Sequence, residues 1–126
     1  MSHLSKIELQ INDLFALRSA CTRLGLEFRQ DQKTFEHYGG RRECHHVIMV
    51  PEASYEIGVF RNDENGSYHL QWDSYHAGGL EKKLGKDAGR LKQTYAIERV
   101  RKEAKLKGHR ICEQKTNQGI RLVLRV

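Results

Sequence analysis

The sequence predicts an α+β fold: an antiparallel-rich sheet of about five to seven strands, with two main helices packed on one face. Three observations carry this. Short runs of alternating apolar residues recur along the chain, and two of them flank Asn62-Asp63-Glu64-Asn65-Gly66. Alternation at period two is what a half-buried strand requires, and an Asn/Asp/Gly stretch between two such runs makes a hairpin. Leu14, Leu17, Cys21 and Leu24 instead recur at helical spacing and stop at Gly25. Finally, Leu91 to Lys107 contains neither proline nor glycine and is followed by Gly108, the residue that a left-handed helix cap favours.

In chain order, Lys6 to Ile11 reads as a strand with Ile7, Leu9 and Ile11 on one face. Asn12 or Asp13 then caps the first helix, because a short acceptor side chain satisfies the free N–H groups of its first turn. Leu26 and Phe28 resume the alternation, so the opening unit is β-α-β. Thr34 to Tyr38 makes a strand leading into the basic turn Gly39-Gly40-Arg41-Arg42. Cys44 to Val50 makes another, apolar at every position from Val47 onward, as in a strand covered on both faces at the sheet centre. Pro51, with no N–H to donate, ends it.

Tyr55, Ile57 and Val59 form one arm of the central hairpin and Tyr68, Leu70 and Trp72 the other. From Asp73 to Gly89 four glycines break up a polar segment that holds one short helix around Leu80 to Leu84. In the long last helix Ala96, Ile97, Val100 and Ala104 share one arc, a narrow seam able to approach a sheet closely. Arg110 to Lys115 and the run Ile120, Leu122, Leu124, Val126 flank Asn117-Gln118-Gly119. They form a closing hairpin with Arg121 and Arg125 on the outer face of its final strand.

A chain of 126 residues without repeat or linker fits a single domain over residues 1–126. Its sharp periodicity separates it from disordered chains of similar polarity. No apolar run approaches a membrane span, and Met1-Ser2-His3-Leu4 lacks the features of a secretion signal, so the expected location is cytoplasmic. Three cysteines, Cys21, Cys44 and Cys112, with no Cys-x-x-Cys pair, fit a reducing compartment and no disulfide framework.

The formal net charge is +6, and its placement is uneven. Arg90, Lys92, Arg99, Arg101, Lys102, Lys105, Lys107 and Arg110 lie on or just beyond the last helix, against Glu98 and Glu103 alone. That excess equals the charge of the whole chain. Glu98 precedes Arg101 and Lys102, and Glu103 precedes Lys107, at helical ion-pair spacing. A basic chain of this kind favours nucleic acid, anionic lipid or an acidic protein as partner.

Several stretches together carry a resemblance. They are Met1-Ser2-His3, Asn62-Asp63-Glu64-Asn65-Gly66-Ser67-Tyr68, Trp72-Asp73, Tyr95-Ala96 with Val100, Glu103-Ala104 with Gly108, and Gly119-Ile120-Arg121-Leu122-Val123-Leu124-Arg125. The chain resembles the hypothetical chloroplast open reading frame thirty-five family, a small domain of unknown function of plastids and cyanobacteria. Residues 30–50 lie outside the matched pattern. The resemblance implies an identity and a setting, the plastid stroma if the chain is plastid-encoded, without a mechanism.

Among chemistry-bearing residues, His37, Cys44, His45 and His46 are of metal-ligand type. On a strand, however, Cys44 and His46 point one way and His45 the other, which leaves a closed four-ligand site unfilled. Gly39-Gly40-Arg41-Arg42 offers an anion nest but lacks the spacing and following helix of a phosphate loop. Asp73-Ser74-Tyr75-His76 holds nucleophile, base and acid types, yet adjacency in sequence does not create the geometry of a triad. Trp72 and Tyr68 read as sheet core more readily than as a base-stacking platform.

The expectation is therefore a non-enzymatic accessory or adaptor without cofactor or metal, binding an acidic protein partner. The residues assigned to that contact are Arg99, Arg101, Lys102, Lys105, Arg121 and Arg125, with a weaker candidate cluster at Arg41, Arg42, Cys44 and His46. A nucleic-acid module touching phosphates is the alternative, and a small-molecule binder or enzyme using the Trp72–His76 region is the third reading.

Overall fold

The computed structural model describes residues 3–125, the side chains of residues 124 and 125 excepted. Nine strands are present among the described residues: β1 (Leu4–Ile11), β2 (Glu27–Arg29), β3 (Thr34–His37), β4 (Gly40–Glu43), β5 (His46–Met49), β6 (Glu56–Arg61), β7 (Tyr68–Asp73), β8 (Arg110–Thr116) and β9 (Gly119–Arg125). The helices are α1 (Leu14–Leu24), α2 (Leu80–Leu84) and α3 (Gly89–Leu106). Five strands form one sheet in the order β1-β7-β6-β5-β2, every neighbouring pair antiparallel. Two hairpins, β3-β4 and β8-β9, stand as separate two-stranded sheets. The fold is α+β, as the alternation and the helix patterns predict.

Four antiparallel steps separate β1 from β2, so these edge strands run parallel, and α1 crosses the sheet to join them. The opening β-α-β unit is thus real, with three later strands inserted between its arms. The β6-β7 hairpin supplies two of those strands, and its turn closes where Gly66 takes φ +70° and donates its N–H to the Asn62 carbonyl at 2.8 Å.

Two cores lie on opposite faces of the sheet. Ile7, Ile11, Ile48, Ile57, Val59, Leu70 and Trp72 project to one side and meet Leu17, Cys21, Leu91 and Tyr95 from α1 and α3. Alternation sends Val47 and Phe60 to the other side, where they join Phe35 and Cys44 under the β3-β4 hairpin.

The position of β5 corrects one expectation. The apolar run Val47 to Val50 is covered on both faces, but the middle strand of the sheet is β6. An unbroken apolar run reports cover on two sides, which any interior strand can have. At the true centre, Gly58 hides this cover, because a Cβ built there would sit 2.5 Å from Phe35 Cδ1. Strand β5 also starts at His46 rather than Cys44. Likewise Arg41 and Arg42 lie on β4, and the turn before them is made by Tyr38 and Gly39, with Gly39 at φ +79°.

Helix α1 begins and ends as its sequence implies, and α3 ends so, although it starts at Gly89, two residues ahead of the expected Leu91. The Asp13 side chain accepts the Ala16 N–H at 3.1 Å, and Gly25 ends α1 in the left-handed region. At the end of α3, the Gly108 N–H reaches the Lys105 carbonyl at 3.2 Å and the His109 N–H reaches that of Ala104 at 2.8 Å. This is the paired hydrogen-bond closure that a left-handed glycine permits.

The seam of α3 is another correction. Ile97 and Ala104 are buried, but Ala96 is exposed and Val100 is 43% exposed. Leu91, Thr94 and Tyr95 complete the buried arc, which is wider than the expected seam and rotated away from Ala96 and Val100. The rotation seats Tyr95 beside the start of α1, where its hydroxyl oxygen accepts the N–H groups of Asn12 and Asp13 at 3.2 and 3.3 Å.

The expected alternation through Leu124 and Val126 falls partly outside the described residues, as does the side chain of Arg125. No helix among the described residues is long and apolar enough to cross a membrane.

Candidate functional site

Helix α3 lies against α1, and β8 folds back beside it. A groove of about 390 Å³ opens where these three elements meet. Phe15 and Ala16 of α1, Ala104 of α3 and Ile111 of β8 give it apolar walls, while Arg101, Lys102 and Lys105 reach its rim. Phe15 is 67% exposed because it lies off the Leu14-Leu17-Cys21-Leu24 stripe, and Lys102 Nζ stands 5.3 Å from its ring centre.

The cations of α3, of which Arg99 lies outside this groove, differ in their freedom. Arg101 donates to Glu113 at 2.6 Å and lies 3.9 Å from Glu98. Lys102 donates to the Asp13 carboxylate at 2.7 Å, not to Glu98 as helical spacing allows. Glu98 instead receives Arg23 of α1 at 3.2 Å. Arg99 lies over the Tyr95 ring, 6.0 Å from its centre. Lys105 is exposed and has no carboxylate within ion-pair distance among the described residues. On the same helix Lys107 pairs with Glu103 at 3.0 Å, and Lys92 pairs with Asp87.

Three acids from other elements, Asp13, Asp87 and Glu113, therefore answer cations of α3. The helix is basic and its charges reach solvent, but the surface it presents is less cationic than its sequence. These contacts shift the acids in a definite direction. Hydrogen bonding from Arg23 is the main cause that holds the Glu113 carboxyl below the usual range, against the opposing effect of burial. For Asp13 burial acts upward, and Lys102 and the Ala16 N–H together outweigh it.

Arg121 is exposed but does not reach this groove. It is in register with Gln114, so it lies on the hairpin face opposite Glu113 and Ile111.

The weaker cluster does not come together. Arg41 is engaged by Glu36, by Glu56 at 3.4 Å and by Thr34 Oγ1 at 2.9 Å, so its guanidinium is already occupied. Arg42 is exposed on the same strand. Cys44 packs with Phe35 and Val47, whereas His46 lies against Phe28 and Tyr68 on the other side of the sheet. This corrects the expectation that both point the same way: the chain bends at His45 before the strand begins. Burial pushes the Cys44 thiol up to about 11 and holds His46 below its ordinary value. His46 Nδ1 accepts the Asp31 N–H at 2.9 Å, and His45 Nδ1 that of Arg61 at 3.0 Å. Among the described residues no three His, Cys, Asp or Glu side chains are grouped to hold a metal ion.

In the Trp72–His76 region, Trp72 is 1% exposed and belongs to the core. Asp73 is buried, and its carboxylate accepts the N–H groups of His3, Tyr38 and Tyr75 at 2.9 to 3.0 Å. Tyr75 stacks on His3 and meets Tyr38 edge-on. Asp73 thus knots the entry to β1, the β3-β4 turn and the segment after β7.

The sequence reading missed Asp13, Phe15, Arg23, Ile111 and Glu113 as parts of one site. Asp13 was legible only as a cap, and Phe15 left a trace as an aromatic residue off the apolar stripe of its helix.

No curated protein and no solved structure matches this chain. Residues 20–123, which include α3, β8 and most of the groove, match the model of the family described as "Protein of unknown function (DUF1257)", and the chain belongs to that family.

Proposed function

We propose that this protein is a non-enzymatic accessory or adaptor that binds an acidic protein partner through the outer face of α3. One observation carries the reading: Arg99, Arg101, Lys102 and Lys105 are all exposed along one helix, and Lys105 is unanswered by any carboxylate of the described residues. Charges so placed steer an oppositely charged surface and fix its register. A protein partner is favoured over a nucleic acid because Asp13, Glu98, Glu103 and Glu113 are interspersed with the cations. A phosphate backbone carries charge at every step and would meet these acids repeatedly. Within its family the chain is read as the plastid and cyanobacterial type, on the strength of the run from Tyr95-Ala96 to Arg125. A cytoplasmic or stromal setting goes with that reading.

The test is retention of protein partners from a cyanobacterial or plastid extract on the immobilised chain, compared with Lys105→Glu. The expected result is a partner of acidic composition that is lost from the variant and released by salt. A partner held equally by both forms would overturn the reading. So would binding of mixed RNA or DNA with a steep linear fall of log affinity against log salt.

A further inference from the structure

The large hydrophobic side chains exposed among the described residues are Phe15, Tyr38, Val100 and Leu106. Three of these four lie on α3 or on the α1 residue facing it across the groove. Val100 and Leu106 do not line the groove, and scattered singly such residues need no explanation; Phe15 lines it beside the rim cations and gives that surface two chemistries. The groove between α1, α3 and β8 has an apolar wall of Phe15, Ala104 and Ile111 beneath Arg101, Lys102 and Lys105. Asp13 and Glu113 hold Lys102 and Arg101 at the rim, so less side-chain entropy remains to be lost when an anion arrives. Its volume, about 390 Å³, exceeds what a single carboxylate fills.

We propose that this groove takes one apolar side chain of the acidic partner, held between Phe15 and Ile111, while carboxylates on either side of that residue meet Lys105 and the paired rim cations. The inference rests on the acidic-partner reading and adds a specificity to it. The recognised segment is acidic with an apolar anchor, not a featureless run of negative charge. Complementary charge sets the encounter, and a desolvated apolar side chain in a pocket supplies most of the discrimination.

The probes are two fluorescein-labelled peptides of equal length, one all glutamate and one with a single central leucine, titrated with the full chain at low salt and followed by fluorescence anisotropy. Burial of one leucine side chain corresponds to about a tenfold or greater gain in affinity, so the leucine peptide is expected to bind at least about tenfold more tightly. Phe15→Ala should abolish that difference, and Lys105→Glu should weaken both peptides. Ser19→Tyr, which fills the groove from α1, provides a second route to the same loss should Phe15→Ala fold poorly.

Equal affinities for the two peptides, both salt-sensitive and both weakened by Lys105→Glu, would overturn the anchor and leave the acidic-partner reading standing. Failure of both peptides to bind would remove the two together. Displacement of both by mixed RNA at lower concentration would assign the face to nucleic acid and overturn both as well.

Discussion

Asp13 does three things from one position. Its carboxylate caps α1 and holds Lys102, and its N–H donates to the Tyr95 hydroxyl, fastening α1 to α3. The cap was legible in the sequence because capping is local, requiring only an acidic residue ahead of a helical pattern. The other two contacts join residues more than eighty positions apart, and no local pattern records them. Loss of an N-cap costs about 1 kcal/mol, and an exposed ion pair adds less than about 1 kcal/mol. Asp13→Ala is therefore expected to destabilise the protein by about 1 to 2 kcal/mol in urea unfolding. Asp13→Asn, which keeps the cap and loses the charge, should recover most of that. Equal losses for both variants would mean that the ion pair dominates the cap.

At the scale of elements, the β8-β9 hairpin is the least supported piece. It pairs with no other strand of the described residues, and an isolated two-stranded hairpin is marginal in water. Ile111 on the groove wall and Glu113, tied to Arg23 and Arg101, fasten it to the helices. Glu113→Gln should speed amide exchange across residues 110–123 while changing global stability by no more than about 1 kcal/mol. Unchanged exchange would show that apolar contact alone fastens the hairpin.

The same tether has a pH dependence of known sign. Glu113 titrates below its ordinary value of 4.5 in the folded chain, so the unfolded chain takes up the proton first as pH falls. The contribution is present above about 4.5 and is lost as pH falls through the lower folded value. Hairpin amides should therefore lose protection on acidification before those of β6 do. The hairpin itself was readable from its alternation and turn residues; its tether was not, since Arg23 and Glu113 are separated by ninety positions.

Across the whole molecule, the sheet carries a core on each face, and the β3-β4 hairpin closes the second one. Gly58 is where that hairpin comes down on the middle strand, with the Phe35 ring in the space of a missing side chain. Gly58→Ala should destabilise the protein by about 1 to 3 kcal/mol through overpacking. Phe35→Leu in the same chain should return part of that loss, because the two changes share one space. Additive losses in thermal unfolding would show that the two positions do not compete.

The sequence by itself determined most of the elements, β4 and the start of β5 excepted, since period, capping residues and turn chemistry act over a few residues. It also determined that α3 is basic and that most of its charges face water. Only the tertiary structure decided which strand sits at the sheet centre and which arc of α3 is buried, because both depend on what packs from elsewhere in the chain. It alone decided how much of the helix charge is left over, for the acids that answer it arrive from α1, β8 and the segment before α3. Charge is counted along a sequence but is neutralised in space, over distances of a few ångströms that the order of residues does not encode.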